Sequence, residues 1–375
     1  MSKQNLMQAL KRGSTEPTYE VVSLPKPKPG PSFSSDALNQ KLADTTRDER
    51  AAMRRAARDE ATNAEWRYYL DNYSTIADDV KARIKRRHAR SARVNSGGTL
   101  LAHVTDVHFG SRVRRDNHTY DINVAARRLA AFAEEILNIQ IQTAATSLVI
   151  CFTGDMFDSR IGKWRTDKIL SQEGPAVFSY MCGLEIIKQF IDELIDSSQF
   201  ESVSISGVAG NESRLTIERG HSDDMACENW DSLLNASLAV HYRDTPGVSM
   251  DFAVNRYVVE VEGWRVLLMH GDQGLSRQID QKETQSILGM HNCDFGLSGH
   301  VHDPRITGHW IRSGSIMGTD SYAGEGMNLS GVAAQAVIHL TTQRRNVHII
   351  DLQDCDNVEG YNIIDFAGAF GSAGL

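Results

Sequence analysis

From residue 99 onward the chain alternates short apolar runs with helix-like stretches, and five of those runs end on Asp, His or Asn. Four of them are TLLAHVTD (99–106), SLVICFTGD (147–155), ESVSISGVAGN (201–211) and WRVLLMHGD (264–272). The fifth, CDFGLSGHVH (293–302), is less uniformly apolar. Short apolar runs of this length read as buried strands. Helical patterns at 121–140 and 176–197 separate the first three. Strands alternating with helices imply largely parallel pairing and a layered α/β domain. Two late runs, AAQAVIHLTT (333–342) and RNVHIIDL (345–352), add further strands. An open α/β sheet binds ligands beyond the carboxyl ends of its strands, where the loops meet.

Those loops would gather Asp106, His108, Asp155, Asn211, His270, His300 and His302. On an extended segment the two side chains of a DxH or HxH point the same way, because the strand period is two. Gly154, Gly210, Gly271 and Gly299 let the backbone turn tightly beside an ion. Mixed nitrogen and oxygen donors suit Mn²⁺, Fe²⁺ or Zn²⁺ without any thiolate. Seven donors are too many for one ion. They suit two ions about 3.5–4 Å apart that share a bridging carboxylate. His103 sits inside the first run and is expected to be structural.

The remaining segments differ in texture. Residues 1–35 hold five of the eight prolines, from Pro17 to Pro31, and are expected to form a disordered tail. Residues 36–98 read as a helical extension, since 36–93 lack Gly and Pro. Trp66, Tyr69, Leu70 and Tyr73 have helical spacing there and suit packing rather than ligand binding. The extension ends in KARIKRRHARSAR (81–93), with seven Lys/Arg and no acid. The chain's net charge is −8, so everything outside that +7 segment sums to −15 (−8 less 7). Such a segment is either a solvated helix face or a contact for a polyanion such as nucleic acid. The α/β domain is expected over 99–365, with a flexible tail at 366–375.

Five scattered Cys without a CxxC argue against a disulfide framework and for a reducing, cytoplasmic compartment. MSKQNLMQALKRG lacks the apolar core of a signal peptide. No apolar run approaches the roughly 18 residues of a membrane span, so no membrane association is expected.

The order DxH, GDxxD, GN, H, GHxH resembles the calcineurin-like metallophosphoesterase superfamily over about residues 99–325. SGSIMGTDSYA (313–323) resembles the segment after GHxH in many phage-encoded and DNA-repair exonuclease-like members. The resemblance implies two mixed β-sheets packed face to face and flanked by helices. The N-terminal helical extension has no counterpart in it. One metal would be held by Asp106, His108, Asp155 and His302, and the other by Asp155, Asn211, His270 and His300, with Asp155 bridging. Mn is the expected metal, with Fe or Zn as alternatives. Asp158, from GDMFD, matches the carboxylate that orients a ligating His. The implied activity is phosphoester hydrolysis by attack of a metal-bridging hydroxide, with Arg214 a candidate clamp on the developing charge.

The departure is Glu212. The family usually has His after the Asn, where it aids protonation of the leaving oxygen. Three readings stay open: Glu212 is itself the acid, another His such as His118 or His221 supplies the proton, or turnover is slow and favours good leaving groups. As substrate, the resemblance and the basic residues (81–93, Arg112, Arg114, Arg115) point to DNA and a nuclease. A phosphatase or phosphodiesterase for small-molecule or protein esters is the alternative, and a metal-bound scaffold of low activity is a third. A homodimer and a protein partner for the N-terminal extension are further expectations. So is a bacterial or phage-infected host cell as the setting.

Overall fold

The structure, a computed structural model, describes residues 97–115, 118–158, 172–215, 227–319 and 332–364. It also describes Glu49, Ala52, Arg55, Ala56 and Glu60, which are helical. The tails at 1–35 and 366–375, most of the 36–98 extension with Lys81 to Arg93, His221, and residues 320–323 lie outside the described residues. The chain divides into two units, Met1–Val94 and Asn95–Leu375. Every strand among the described residues belongs to the second.

Two mixed sheets form that unit. In the first, β1 (Thr99–Val104), β4 (Ser147–Phe152), β5 (Ser202–Gly207) and β6 (Val248–Phe252) run parallel in that spatial order. On the far side of β1 lies β12 (Ala334–Thr341), antiparallel to it and to β13 (Arg344–Asp351). In the second sheet β8 (Trp264–Met269), β9 (Phe295–Ser298) and β11 (Trp310–Arg312) run parallel. Antiparallel strands β7 (Arg256–Val261) and β10 (Arg305–Ile306) close its edges. A small hairpin pairs β2 (Val113–Arg115) with β3 (His118–Tyr120).

Alternate residues of each central strand serve different cores. Leu101, Val149, Cys151, Ala336 and Ile338 face Val266, Leu268, Phe295, Leu297 and Ile311 across the two sheets. Leu100, Ala102, Val104, Leu148 and Ile150 face the other way. There they meet α1 (Ile122–Thr143), α2 (Ala176–Asp196) and α3 (Trp230–His241). The Phe132 and Phe190 rings stack between α1 and α2, 6.2 Å apart. On the outer face of the second sheet, α4 (Gln281–His291) packs Ile287 and Leu288 onto Leu267, Met269 and Trp310. Strands buried on both faces are largely apolar, and this is why β1 reads as a run interrupted only by Thr99 and His103. Each fully buried Leu, Ile or Phe contributes about 1.5–3 kcal/mol. No helix among the described residues is long and apolar enough to cross a membrane.

The helices near 121–140 and 176–197 and the five principal strands match the sequence reading. The strands stop earlier than the apolar runs, however, one to four residues short of the polar groups they present.

His103 is fully buried between the sheets. Its Nε2 lies 2.7 Å from Thr153 Oγ1 and its Nδ1 lies 2.8 Å from Ser313 Oγ. Burial, opposed by the Asp106 charge, lowers its pKa from 6.5 to about 3. The folded state therefore holds the neutral ring. Its contribution to stability is complete above pH 6.5 and is lost as pH falls toward 3, with a limiting slope of about 1.4 kcal/mol per pH unit. Urea unfolding at pH 7, 5.5 and 4 should show His103→Gln losing less stability on acidification than the native chain. Superimposable pH profiles would refute this account.

Candidate metal centre

The parallel pairing of β1 and β4 does not end where the strands end. Asp106 N donates to Gly154 O at 3.0 Å, His108 N to Asp155 O at 3.0 Å, and Phe109 N to Met156 O at 2.8 Å. Two loops thus travel side by side and present Asp106, His108 and Asp155 together. Gly154 and Gly210 bring the β4 and β5 loops into backbone contact, and any side chain at either would collide with the other loop. Gly299 lets the β9 loop lie against the Asp106 carboxylate in the same way.

Asp106, His108, Asp155, His300 and His302 all have positive φ, between 52° and 72°. The expectation that DxH and HxH align their side chains as extended strand residues is therefore corrected. These residues lie beyond the strands in the left-handed region, which L-residues enter at a cost of roughly 1–2 kcal/mol each. The aim of the side chains comes from the loop turns and not from a period of two.

Two clusters result. Asp106, His108 and His302 form one, and Asp155, His270 and His300 the other; within each, the donor atoms lie within 4.8 Å of one another. In the first, His302 Nε2 is 3.2 Å and His108 Nε2 3.8 Å from Asp106 Oδ1. The two ring nitrogens are 3.1 Å apart. In the second, His270 Nε2 is 3.0 Å from Asp155 Oδ2 and 3.0 Å from Asn211 Oδ1.

The hydrogen bonds on the far sides of the rings show what these atoms are. His270 Nδ1 is 2.7 Å from the Thr153 carbonyl, an acceptor only, so Nδ1 carries hydrogen. His108 Nδ1 is 2.7 Å from Asp158 Oδ1 and is a donor for the same reason. With Nδ1 so occupied, a neutral ring would turn a bare Nε2 lone pair toward the carboxylate and amide oxygens. Acceptors facing acceptors need a positive charge between them: a proton, or a cation in its place. Burial opposes protonation of His270, yet Asp155, then Asp106 and Asp272, push its pKa up to about 10. Burial likewise opposes Asp158 and Asp106 at His108, whose pKa still ends well above the usual range. Asp106 and Asp155 are held low by the facing His residues despite complete burial. Burial and the neighbouring His270 lower His300. Carboxylates, imidazoles and one amide form a donor set that fits Mn²⁺, Fe²⁺ or Zn²⁺.

Asp155 groups with His270 and His300 and not with Asp106, His108 and His302, and further residues support both clusters. Asp158 accepts from His108 and from the Ser111 hydroxyl. His300 N donates to both oxygens of Asp106, at 3.1 and 2.9 Å. Glu212 Oε1 accepts from Asn211 Nδ2 at 2.7 Å, and Glu212 N donates to Asp155 Oδ1 at 2.7 Å. Arg214 pairs with Asp272 at 2.8 Å. His118 Nε2 bonds the Met317 carbonyl at 2.9 Å.

Sequence reasoning missed Asp231, at the start of α3. This buried carboxylate accepts from Asp155 N (2.9 Å), Gly210 N (2.8 Å) and Met156 N (3.0 Å), and lies 2.8 Å from Ser213 Oγ. It ties the β4 loop to the β5 loop. Burial and then the Asp155 charge push its pKa up to about 6. Its one sequence signal is the helix cap Asn229-Trp230-Asp231, in which Asn229 accepts from Asp231 N and donates to Gly210 O, both at 2.8 Å.

No family model and no curated protein matches the chain. Solved structures similar to it include Vps29 of Entamoeba histolytica complexed with zinc, at 11% identity and TM-score 0.31, covering 68% of this chain and 99% of that one. A predicted phosphoesterase of Streptococcus pneumoniae shows 11% identity and TM-score 0.30, with 70% and 92% covered. A dimetal phosphatase of Danio rerio shows 10% identity and TM-score 0.36, with 68% and 97% covered.

Asp231→Asn would turn an amide donor toward groups that are themselves donors. We expect a loss of about 2–3 kcal/mol in urea unfolding, measured in chelator to separate it from metal binding. A change under about 0.5 kcal/mol, typical of an unimportant surface site, would contradict the tie.

Proposed function

We propose that this chain is a phosphoester hydrolase built around two divalent ions. The observation that carries the reading is His270 Nε2, which faces Asp155 Oδ2 and Asn211 Oδ1 at 3.0 Å each, with its ring held by the Thr153 carbonyl on the far side. The first ion is assigned to Asp106, His108, Asp155 and His302, and the second to Asp155, Asn211, His270 and His300, with Mn the metal of choice and Fe or Zn alternatives. Such a pair supplies Lewis-acid polarisation of a phosphoryl group and acidifies water near neutral pH.

The remaining roles belong to the chain itself. Asp158 and the Thr153 carbonyl fix the tautomer and aim of His108 and His270. Asp155 Oδ1 is held by Glu212 N, which leaves Oδ2 as the oxygen directed at the cluster. The Arg214 guanidinium is held by Asp272, so a phosphate contact there would be shared with that carboxylate. Glu212 accepts from Asn211, the geometry of an orienting group and not of an acid.

For substrate, DNA is the finer reading. Arg112 and Arg114 are exposed on the stretch that leaves the His108 loop, although Arg114 pairs with Asp121 at 3.0 Å. The +7 segment from Lys81 to Arg93 adds to this. The acidic remainder of the chain favours the alternative, a phosphatase or phosphodiesterase for small-molecule or protein phosphoesters.

Hydrolysis of bis-p-nitrophenyl phosphate with Mn²⁺ should be measurable. Asp155→Asn or His270→Ala should cut kcat/KM by at least ~100-fold, or about 2.7 kcal/mol of transition-state stabilisation. Full activity in either variant would defeat the two-ion reading. Single- and double-stranded DNA assayed beside it at two salt concentrations decides the substrate: a nuclease loses DNA cleavage steeply as salt rises.

A further inference from the structure

Residue 212 has a function that its acidity would not suggest. A carboxylate can only accept hydrogen bonds, so the atom of Asn211 that faces Glu212 Oε1 at 2.7 Å must be the amide nitrogen. The amide is planar, so its oxygen points the opposite way. That oxygen, Oδ1, lies 3.0 Å from His270 Nε2, beside Asp155 Oδ2. Without an acceptor at 212 the amide could turn over and put an NH₂ group where the lone pairs meet. An NH₂ group cannot bind a cation.

Resting on the two-ion reading above, we infer that Glu212 is a positioning residue that sets the Asn211 amide, so that an oxygen and never a nitrogen meets the second metal. Two contacts make this a built arrangement. The side chain fixes the Asn211 flip, and the backbone N–H of the same residue fixes Asp155 Oδ1 at 2.7 Å. One residue thereby orients two neighbouring ligand groups. Only the side-chain contact depends on residue type, and Glu212 is half-buried, so substitution there removes the amide lock without emptying a core.

The test is calorimetric titration of the metal-free full-length chain with Mn²⁺, which reads no catalysis. The native chain should bind two ions. Glu212→Ala should keep one and weaken the other about 10–100-fold, the usual effect of removing a group that orients a ligand. Glu212→Gln keeps an acceptor oxygen and should bind within about threefold of the native chain, less than one hydrogen bond's net worth. In an Asn211→Asp background both atoms at the tip are oxygens. There the further change Glu212→Ala should cost nothing, which makes the double-mutant cycle strongly non-additive. Equal Mn²⁺ affinities for the native chain and Glu212→Ala would overturn the inference and leave the two-ion reading intact. An equal loss in Gln and Ala variants would overturn it in favour of simple charge. Failure of the native chain to bind two ions would remove both readings together.

Discussion

The arrangement on which the rest of this molecule depends is a meeting of lone pairs. His108 Nε2, His302 Nε2 and Asp106 Oδ1 converge on one point, and His270 Nε2, Asn211 Oδ1 and Asp155 Oδ2 on another. In both groups a histidine has its Nδ1 hydrogen on the far side of the ring, held by Asp158 or by the Thr153 carbonyl, so that Nε2 is free to carry a second proton or to face a cation. Such a site is repulsive when empty of positive charge, and burial removes the water that would screen it. Protons can relieve it, and the raised pKa values of His108 and His270 express that. A divalent cation in the same place would relieve it with more charge and more coordination.

Holding repulsive groups together needs a frame that does not yield. Five residues of the centre sit in the left-handed region, a strain that persists only where the surroundings determine the backbone. The surroundings here are specific. Ile316 N donates to Asp106 O, and buried Arg128 in turn holds the carbonyls of Ile316 and Met317 at 2.7 and 2.9 Å. Arg312, also buried, binds the Asp303 carbonyl and carboxylate directly after His302. Gln335 of β12 reaches across to both backbone groups of Thr105, next to Asp106. The edge is therefore braced from α1, from β11 and from β12, three elements that contribute no donor of their own.

That division explains what could be read from the sequence. The donors stand at the ends of apolar runs, and the runs are long because β1 and β4 are buried on both faces. Asp106, His108, Asp155, Asn211, His270, His300 and His302 were visible for that reason. The mechanism of their alignment was not, because positive φ leaves no mark in a DxH whose residues are not glycine. The braces were hidden for a different cause. Asp231 lies 20 positions from Asn211, and Arg128, Arg312 and Gln335 look like ordinary surface residues until the fold buries them. Strands such as β6, half-exposed, and β10, two residues long, carry too little periodicity to be read at all.

Residue 212 shows how one position can be pulled between two demands. A proton donor beside a leaving oxygen must keep its hydrogen available, whereas an orienting group beside Asn211 must present a lone pair. Glu212 presents the lone pair: its Oε1 accepts from Asn211 Nδ2, and Asn211 Oδ1 faces His270 as a result. The oxygen that accepts from that amide cannot at the same time carry a hydrogen toward a substrate. An acceptor at 212 therefore leaves the orientation of the Asn211 amide more firmly determined than an unanchored amide would be.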